Sequence, residues 1–184
     1  MILVTGATGI VGSHIVIELL KAGEEVRVLH RKTSNFIALT QLLKFHNLSN
    51  TVHFFEGDIS DPVSLSEAIE GCHRVYHCAA MVSFDPSDAR QLHETNVLGT
   101  DNVVNACLKE NVKLTYISST ATIGDVSING MRTEDSVWVS DKGKSDYTLS
   151  KRYAELEVFR GVQEGLDVTV VNPGVILGPG NWGN

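Results

Sequence analysis

The start of the chain constrains the fold more than any other stretch of its 184 residues. Residues 1–4 form a short apolar run without a polar break, which is typical of a buried strand in a parallel sheet. Gly6, Gly9 and Gly12 follow at once, and an apolar residue then recurs at every fourth position through residues 11–19. This order predicts a strand, a glycine-rich turn and a helix.

A turn of this kind is suited to binding a dinucleotide. Glycines let the backbone approach a pyrophosphate, and the N-terminus of the following helix offers unpaired N–H groups to it. The glycines are spaced three and three, not two and three as in GxGxxG, so a tight turn that binds nothing is the alternative. The expected contacts come from Gly6, Thr8, Gly9, Ile10, Val11 and Gly12.

The end of the second predicted strand bears on which dinucleotide would bind. A site that prefers NAD usually places an acid there to hold the ribose 2′-hydroxyl. After residues 26–29 the sequence instead reads His30-Arg31-Lys32, with two adjacent cations and no acid. A guanidinium suits a 2′-phosphate, so Arg31 favours NADP as the cofactor, with NAD as the other possibility. The alternative is that Arg31 and Lys32 are only loop charges.

Strands and helices alternate along the whole chain. We expect strands near residues 1–4, 25–29, 52–55, 74–78, 113–118 and 167–172, and helices near 10–22, 35–46, 62–70, 87–109 and 145–163. Asp61 before Pro62 indicates a helix N-cap. The alternation predicts an α/β fold, a doubly wound parallel sheet with helices on both faces. Without linkers or repeats, residues 1–184 are expected to form a single NAD(P)-binding Rossmann domain.

Composition and charge exclude several classes of function. The net charge is −7, from 22 acidic and 15 basic residues, which argues against a nucleic-acid partner. No apolar run is long enough to span a membrane, and the first strand begins at the first residue, which argues against a signal peptide. Cys72, Cys78 and Cys107 lack CxxC spacing and fit the reduced thiols of a cytoplasmic protein. A metal site that also uses His73 and His77 is disfavoured, because His77 ends a predicted buried strand.

Small or polar residues stand at the carboxyl ends of the later strands, where ligands of doubly wound sheets bind. They are residues 57–59, 78–80, 118–120 and 172–174. Asp58, followed by Ile59, can accept from an adenine amino group, or it can simply cap its own turn. Ala79 and Ala80 are small enough to let the chain pass close to a cofactor. Because these strand ends converge on one crevice, they support an enzyme.

Tyr147 and Lys151 lie four residues apart on a predicted helix and therefore share one of its faces. A lysine ammonium near a phenol favours the phenolate, and a tyrosine tuned in this way can transfer a proton at a carbonyl or carbinol. Alone, the YxxxK string is a weak signal, because a surface tyrosine beside a solvated lysine gives the same letters. The irregular stretch 124–144 precedes this helix, and a loop of that length is expected to form part of a substrate pocket.

Together these residues resemble the extended short-chain dehydrogenase/reductase family, often described as NAD-dependent epimerases/dehydratases. The matching motifs occur in the order found in the family and cover nearly the whole chain. They are TGATGIVG at 5–12, GD at 57–58, HCAA at 77–80, NVLGT at 96–100, SSTAT at 118–122, Tyr147 with Lys151, NPG at 172–174 and LGPG at 177–180.

The resemblance implies a role for several of these groups. Tyr147 is expected to be the general acid/base, Lys151 to tune it and to bind the nicotinamide ribose, and Thr120 to hydrogen-bond the substrate oxygen. The implied reaction is hydride transfer between a nicotinamide cofactor and a carbonyl or secondary alcohol. The nicotinamide end would be contacted by Pro173, Val175 and Ile176.

Within the family the chain looks similar to the dihydroflavonol-reductase-like branch, on the basis of residues 133–138 and of Arg31. Ala121 and Thr122 stand where 4,6-dehydratases carry an Asp-Glu pair, so sugar dehydration is disfavoured. Nucleotide-sugar epimerases share the serine-rich stretch 118–122 and are an alternative. A regulatory module that binds NADP(H) without chemistry is a further alternative.

The resemblance also implies an assembly and a boundary. Helices 87–109 and 145–163 match those that pair in the homodimers of the family. Family members continue well past the NPG strand into a C-terminal substrate region, which is largely absent from a chain that stops at Asn184. We therefore expect the cofactor half of such an enzyme, able to bind NADP(H) but poor in turnover.

Overall fold

The computed structural model describes residues 1–48, 52–125 and 130–178. Within these ranges six strands form one sheet: β1 Ile2–Thr5, β2 Val26–His30, β3 Val52–Glu56, β4 Arg74–His77, β5 Lys113–Ile117 and β6 Val168–Val171. The α-helices are α1 Ile10–Lys21, α2 Ile37–Phe45, α3 Pro62–Ile69, α4 Ala89–Leu92, α5 Gly99–Glu110 and α6 Asp146–Gln163. Shorter turns are the 3₁₀ segments Pro86–Asp88 and Thr120–Thr122 and the π-helical segment His93–Leu98.

The sheet is parallel throughout, in the order β3-β2-β1-β4-β5-β6. This confirms the predicted doubly wound α/β architecture, and each strand lies within one residue of its expected bounds. The strand order reverses between β1 and β4, where Thr5 pairs with His77. Ligands of open α/β sheets bind beyond the strand ends at such a reversal. The fold therefore places its crevice next to the glycine turn that follows β1.

Two apolar clusters, one on each face of the sheet, form the core. Successive residues of a strand point to opposite faces. Val4 and Val28 accordingly pack with residues of α1 and α2 on one face. Leu3, Val75 and Leu114 pack with residues of α3, α5 and α6 on the other face. Every residue of β1 is buried, which explains why its sequence is apolar without alternation.

The helix expected over residues 87–109 is not one regular helix. A 3₁₀ turn and the short α4 lead into the π-helical turn 93–98, and α5 then continues to Glu110. In this turn the Asn96 Oδ1 accepts the Met81 N–H at 2.7 Å, and its Nδ2 donates to the Met81 carbonyl and to Ser150 Oγ, both at 2.9 Å. A π-turn inserts one residue into a helix and is common at functional sites. Here it joins the loop after β4 to α6, which side-chain periodicity cannot reveal.

Two helices begin at side-chain caps. Asp61 Oδ1 accepts the Val63 N–H at 3.0 Å, which confirms the N-cap predicted before Pro62. Ser145 Oγ accepts the Thr148 N–H at 3.2 Å and so starts α6 immediately before Tyr147. The second cap fixes the first turn of α6, which carries the proposed proton donor.

Candidate active site

The glycine turn packs so tightly that two of its glycines have no room for a side chain. Gly6 has a φ of +66°, and a Cβ on it would lie 2.5 Å from the backbone nitrogen of Ala79. A Cβ on Gly12 would lie 2.3 Å from the Gly6 carbonyl oxygen. At Gly9 the nearest atom to such a Cβ is the Gly6 carbonyl oxygen at 3.4 Å, so a side chain here would meet only ordinary van der Waals contact. The turn is thus wedged between α1 and the end of β4, with Gly9 on its outer side.

The N-terminus of α1 is open to an anion. Gly9 is its N-cap, no side chain caps it, and its first turn contains no acid. The first N–H groups of an α-helix have no partner within the helix, and they attract negative charge. Backbone space at the turn and unpaired N–H groups together fit a dinucleotide pyrophosphate. The predicted contacts Thr8, Ile10 and Val11 are only partly buried here.

The predicted adenosine end of the site lies at β2 and β3. Arg31 is exposed at the end of β2, and its guanidinium has no hydrogen-bond partner among the residues that the structure describes. The Asp58 Oδ1 accepts the Ser60 N–H at 2.9 Å, so this carboxylate caps its own turn with one oxygen. Its other oxygen is left to accept a hydrogen bond from a ligand. Ile59 is buried, and a Cβ on Gly99 would lie 2.6 Å from its Cδ1. Because Gly99 of the NVLGT motif has no side chain, the loop after β3 can pack against it through Ile59.

A buried histidine connects the strands beneath the crevice. His77 Nδ1 lies 2.7 Å from Thr5 Oγ1, and its Nε2 lies 3.0 Å from Thr100 Oγ1. Burial, followed by the charge of Lys151, lowers the pKa of His77 to about 3, so the imidazole is neutral. Thr5 Oγ1 also accepts the Ala79 N–H at 3.3 Å. The polar chain thereby positions Ala79 next to the glycine turn.

The predicted proton-transfer groups lie at the ends of β5, β6 and α6. Tyr147 is half-buried on the first turn of α6, and its ring contacts Phe84 edge-on at 5.6 Å. Thr120 is exposed, and its N–H donates to the Pro173 carbonyl at 3.0 Å. The Val175 side chain is 91% exposed. The structure thus brings Thr120 and Pro173 together and leaves Val175 in solvent.

Beyond Val175 the chain returns toward the glycine turn. Ile176 and Gly178 line a groove of about 400 Å³ together with Ile10 and Val11 of α1. The groove links the predicted nicotinamide contact at Ile176 to the predicted pyrophosphate contacts on α1. Residues 179–180, which complete the LGPG motif, lie outside the described residues.

Lys151 is held by partners that the sequence did not indicate. Its ammonium is buried and donates to Tyr116 Oη at 3.0 Å and to the Ile117 carbonyl at 2.9 Å. Burial lowers its pKa to about 8, against the opposing influence of Glu155 and Cys78. The hydroxyl of Tyr147, one turn earlier, makes no hydrogen bond with the described residues. Two of the three donors of Lys151 are therefore used by β5, and one is left for a ligand or for the phenol.

Glu155 is a buried carboxylate in the same region that sequence reasoning missed. Its Oε2 accepts from Ser118 Oγ at 2.5 Å and from Asn172 Nδ2 at 2.9 Å, with Thr122 Oγ1 at 2.8 Å. It lies four residues after Lys151, which is the one available signal, because residues at i and i+4 share a helix face. Ser118 and Thr122 of the SSTAT motif thus have a partner within the fold.

The stretch 124–144 folds back onto α6 where it is described. The Asp125 N–H donates to the Val137 carbonyl at 2.9 Å, and Tyr153 Oη of α6 donates to Asp141 Oδ2 at 2.5 Å. Residues 126–129, which the sequence assigns to the same loop, lie outside the described residues. The role of the loop in a substrate pocket stays a prediction.

The described residues contain neither a candidate metal cluster nor a candidate membrane span. No group of three or more His, Cys, Asp or Glu side chains in residues 1–48, 52–125 and 130–178 is arranged to hold a metal ion. In the same ranges, none of the helices has the length and hydropathy needed to cross a bilayer.

Comparison with known proteins gives consistent matches over nearly the whole chain. The profile described as "NAD dependent epimerase/dehydratase family" matches residues 2–184. "Sterol demethylase protein B" of Methylococcus capsulatus is 36% identical over 179 residues, which are 96% of this chain and 52% of that protein. The "Putative dihydroflavonol 4-reductase" of Synechocystis sp. is 36% identical over 179 residues, 96% of this chain and 49% of that protein. The chain thus spans about half the length of these curated relatives.

Solved structures share the same fold. The crystal structure of gox2253 is 34% identical with a TM-score of 0.78, and the match covers 94% of this chain and 51% of that one. UDP-glucose 4-epimerase of Thermus thermophilus, solved as a complex with NAD, is 32% identical with a TM-score of 0.74, and the match covers 93% of this chain and 54% of that one. The fold described above is therefore shared with a protein whose structure contains the dinucleotide.

Proposed function

The chain belongs to the NAD dependent epimerase/dehydratase family, and from that premise we propose that it is part of an NADP(H)-dependent oxidoreductase that interconverts a carbonyl and a secondary alcohol. One observation carries the proposal. The Tyr147 hydroxyl is left without a hydrogen-bond partner among the described residues, on the helix whose Lys151 ammonium is buried and anchored. An uncommitted phenol one helical turn from a buried cation is suited to proton transfer.

In this proposal the chain supplies orientation and a proton. The cofactor, when bound, supplies the hydride at nicotinamide C4. Tyr147 Oη donates its proton to the substrate oxygen during reduction and takes it back during oxidation. Thr120 Oγ1, exposed at the start of its turn, donates a second hydrogen bond to the same oxygen. Two donors at one oxygen stabilise the negative charge that develops there.

Lys151 acts on both the cofactor and the phenol. Tyr116 Oη and the Ile117 carbonyl occupy two of its N–H donors and so fix the direction of the third. That third donor is available to the nicotinamide ribose or to the Tyr147 hydroxyl. Because the ammonium is anchored to β5, it needs little reorganisation when the cofactor binds.

NADP(H) is proposed as the cofactor because of Arg31. Its guanidinium is exposed at the end of β2 and is free of partners within the described part of the chain. A planar guanidinium recognises a phosphate by paired hydrogen bonds. Solved relatives with NAD bound, such as the UDP-glucose 4-epimerase, keep NAD as the second candidate.

A nucleotide-sugar epimerase is the alternative activity, favoured by the likeness to that epimerase. The two activities differ in their balance of cofactor. A reductase consumes NADPH with each turnover, whereas an epimerase returns its hydride and consumes none. Incubation of the natural protein with a dihydroflavonol, a cinnamoyl-CoA and UDP-glucose separates the two, by NADPH absorbance and by chromatography of the sugar nucleotide.

The Tyr147→Phe variant tests the chemistry. We expect turnover to fall by roughly a hundredfold or more, since a positioned acid contributes about that factor, with NADPH affinity within about twofold of the wild type. Tyr153→Phe is the matched control, because Tyr153 lies on the same helix and donates to Asp141. Wild-type turnover in Tyr147→Phe would show that the acid/base assignment is wrong, and a lack of NADPH binding by the wild type would refute the cofactor.

We further propose a homodimer through the predicted helices 87–109 and 145–163. Apolar side chains on this face are exposed, among them Leu98 at 48%, Leu156 at 43% and Phe159 at 45%. Burying such side chains against a second copy removes apolar surface from water. Sedimentation of the wild type as a dimer and of Leu156→Asp as a monomer is expected. A wild-type monomer at high micromolar concentration would contradict the assembly.

A further inference from the structure

Glu155 sits where three segments of the candidate site meet. The residue is 5% exposed, and its Oε2 accepts hydrogen bonds from Ser118 and Asn172 at 2.5 and 2.9 Å. Thr122 Oγ1 is 2.8 Å from the same oxygen and 2.9 Å from the Ser119 carbonyl, and its single proton can go to either. A carboxylate only accepts, so this set of donors suits its ionised form.

Each partner of Glu155 adjoins a group assigned to the reaction. Ser118 and Thr122 flank Thr120 in the turn after β5. Asn172 precedes the proline whose carbonyl accepts the Thr120 N–H at 3.0 Å. Lys151 lies one helical turn before Glu155 on α6. A single carboxylate therefore ties together the ends of β5 and β6 and the catalytic helix.

We propose that Glu155 is a positioning residue of the active site, which holds the turn carrying Thr120 against the helix carrying Tyr147 and supplies the buried counter-charge for Lys151. The inference rests on the proposed function, since it concerns the groups that hold substrate and cofactor there. It differs from a purely structural role, because the charge of Glu155 acts on Lys151 as well as on the fold.

Among the described groups that act on Lys151, Glu155 is the carboxylate. At the end of β4 lies His77, which is neutral because burial lowers its pKa to about 3. Directly after β4 lies Cys78, whose pKa burial raises to about 12. From β5 Lys151 faces Tyr116, whose pKa is also raised by burial and which stays a neutral phenol. The charge of Glu155 in turn favours the ammonium of Lys151. A cation buried among neutral groups needs such a partner.

Glu155 lies within ion-pair distance of Arg152 rather than of Lys151, on which it acts from one helical turn away. Arg152 Nη1 lies 3.4 Å from Glu155 Oε1, at the less buried side of the carboxylate. The two carboxylate oxygens of Glu155 therefore have different partners. Oε1 meets a partly exposed cation, and Oε2 faces the turn and the strand ends.

Direct titration of Lys151 tests the counter-charge without needing cofactor or substrate. The chain is labelled with ¹³C at the lysine Cε and followed by NMR from about pH 6 to about pH 11, with Lys151→Met to assign the signal. Wild-type Lys151 should titrate near pH 8. In Glu155→Gln the midpoint should fall by about one pH unit, since the charge that favours the ammonium is removed.

Glu157→Gln is the matched control. It removes a carboxylate from the same helix, where Glu157 pairs only with Arg160 in the described residues. Its Lys151 midpoint should equal that of the wild type. An unchanged midpoint in a folded Glu155→Gln variant would overturn the counter-charge.

A second variant tests the positioning and covers the case in which the glutamine variant does not fold. Glu155→Asp keeps the charge but shortens the side chain, so the Lys151 midpoint should stay while the turn loosens. Amide exchange at Thr120, whose N–H donates to Pro173, should then become about tenfold faster, a loss of about 1.4 kcal/mol of local protection. Wild-type exchange in this variant would refute the positioning role.

The outcomes separate this inference from the proposed function. Failure of NADPH to bind, or full activity in Tyr147→Phe, counts against the function and leaves the Lys151 titration as a valid reading of Glu155. Shifted titration with faster Thr120 exchange supports Glu155 as positioning residue. Wild-type behaviour in both glutamate variants removes the inference even if the enzyme is active.

Discussion

The glycine turn after β1 and the junction of β5, β6 and α6 solve different problems with different atoms. The turn offers a ligand the backbone N–H groups at the start of α1, and almost no side-chain chemistry. The junction is built from hydroxyls, an amide, a carboxylate and an ammonium that satisfy one another in a buried setting. One region is therefore sensitive to atoms added at Gly6 and Gly12, and the other to any missing polar partner.

This difference follows from what each region would hold. A pyrophosphate is bound by main-chain donors, which every residue except proline has, so selection acts on where side chains must be absent. Proton transfer requires particular side chains in fixed directions, and each buried polar atom must have a partner. In the described residues, no buried side-chain nitrogen or oxygen lacks one.

The largest expected effect comes from adding one carbon to the turn. In Gly12→Ala the new Cβ would lie 2.3 Å from the Gly6 carbonyl, a backbone atom that cannot move aside. We expect the free energy of unfolding to fall by about 4 kcal/mol or more, at the upper end of overpacking effects. Urea unfolding followed by circular dichroism measures this loss.

Gly9→Ala is the matched control for that change. Its Cβ has only the Gly6 carbonyl near it, at 3.4 Å, and Gly9 has an ordinary φ of −83°. Its stability should stay within about 0.5 kcal/mol of the wild type, whereas NADPH binding should weaken because the methyl group faces the predicted pyrophosphate. Equal stability of the two variants would mean that the turn is not wedged as described.

The contrast also explains which features the sequence predicted. The apolar run of β1, the glycines and the strand-helix alternation are local patterns, and the strands were found to within one residue of their expected bounds. Lys151 was predicted to face Tyr147 from its i+4 spacing, but its donors go to Tyr116 and Ile117 of β5. Those two partners are about thirty-five residues away along the chain, and spacing carries no information on such contacts.

The missed features share this cause. Glu155 reads as one more acid on an amphipathic helix, and only the packing of β5 and β6 against α6 makes it buried. The π-turn at 93–98 was likewise predicted as regular helix, because its irregularity is set by what Asn96 bonds in other elements. Backbone-built sites are thus visible in sequence, and sites built by side chains from several elements are largely not.

His77 lies between the two regions, and its protonation at low pH should destabilise the fold there. Its pKa is about 3 in the fold and about 6.5 in the unfolded chain, so the unfolded state takes up the proton first as the pH falls. The contribution of the neutral imidazole to the free energy of unfolding is therefore complete above about pH 6.5 and decreases as the pH falls toward 3. At pH 4 the decrease is about 3 kcal/mol.

The measurement is urea unfolding at several pH values. The slope of the free energy of unfolding against pH, between about 6.5 and 4, counts the protons taken up on unfolding. In His77→Asn this number should decrease by nearly one, whereas the variant of the exposed His53, His53→Gln, should keep the wild-type slope. An unchanged dependence in His77→Asn would mean that this histidine is not neutral in the fold, and that acid does not act at the boundary between the regions.

The smallest expected effect on the fold comes from Arg31, which follows β2 and is the side chain proposed to bind the cofactor at its adenosine end. Because Arg31 is exposed and its guanidinium has no partner among the described residues, Arg31→Ala should leave the free energy of unfolding within about 0.5 kcal/mol. NADPH affinity should nevertheless fall by about tenfold, or about 1.4 kcal/mol, with NADH affinity unchanged. Fluorescence titration with both cofactors measures this, and Lys32→Ala tests whether the neighbouring cation contributes equally. Tighter binding of NADH than of NADPH by the wild type would refute Arg31 as a 2′-phosphate ligand, and the cofactor region would then rely on its backbone alone.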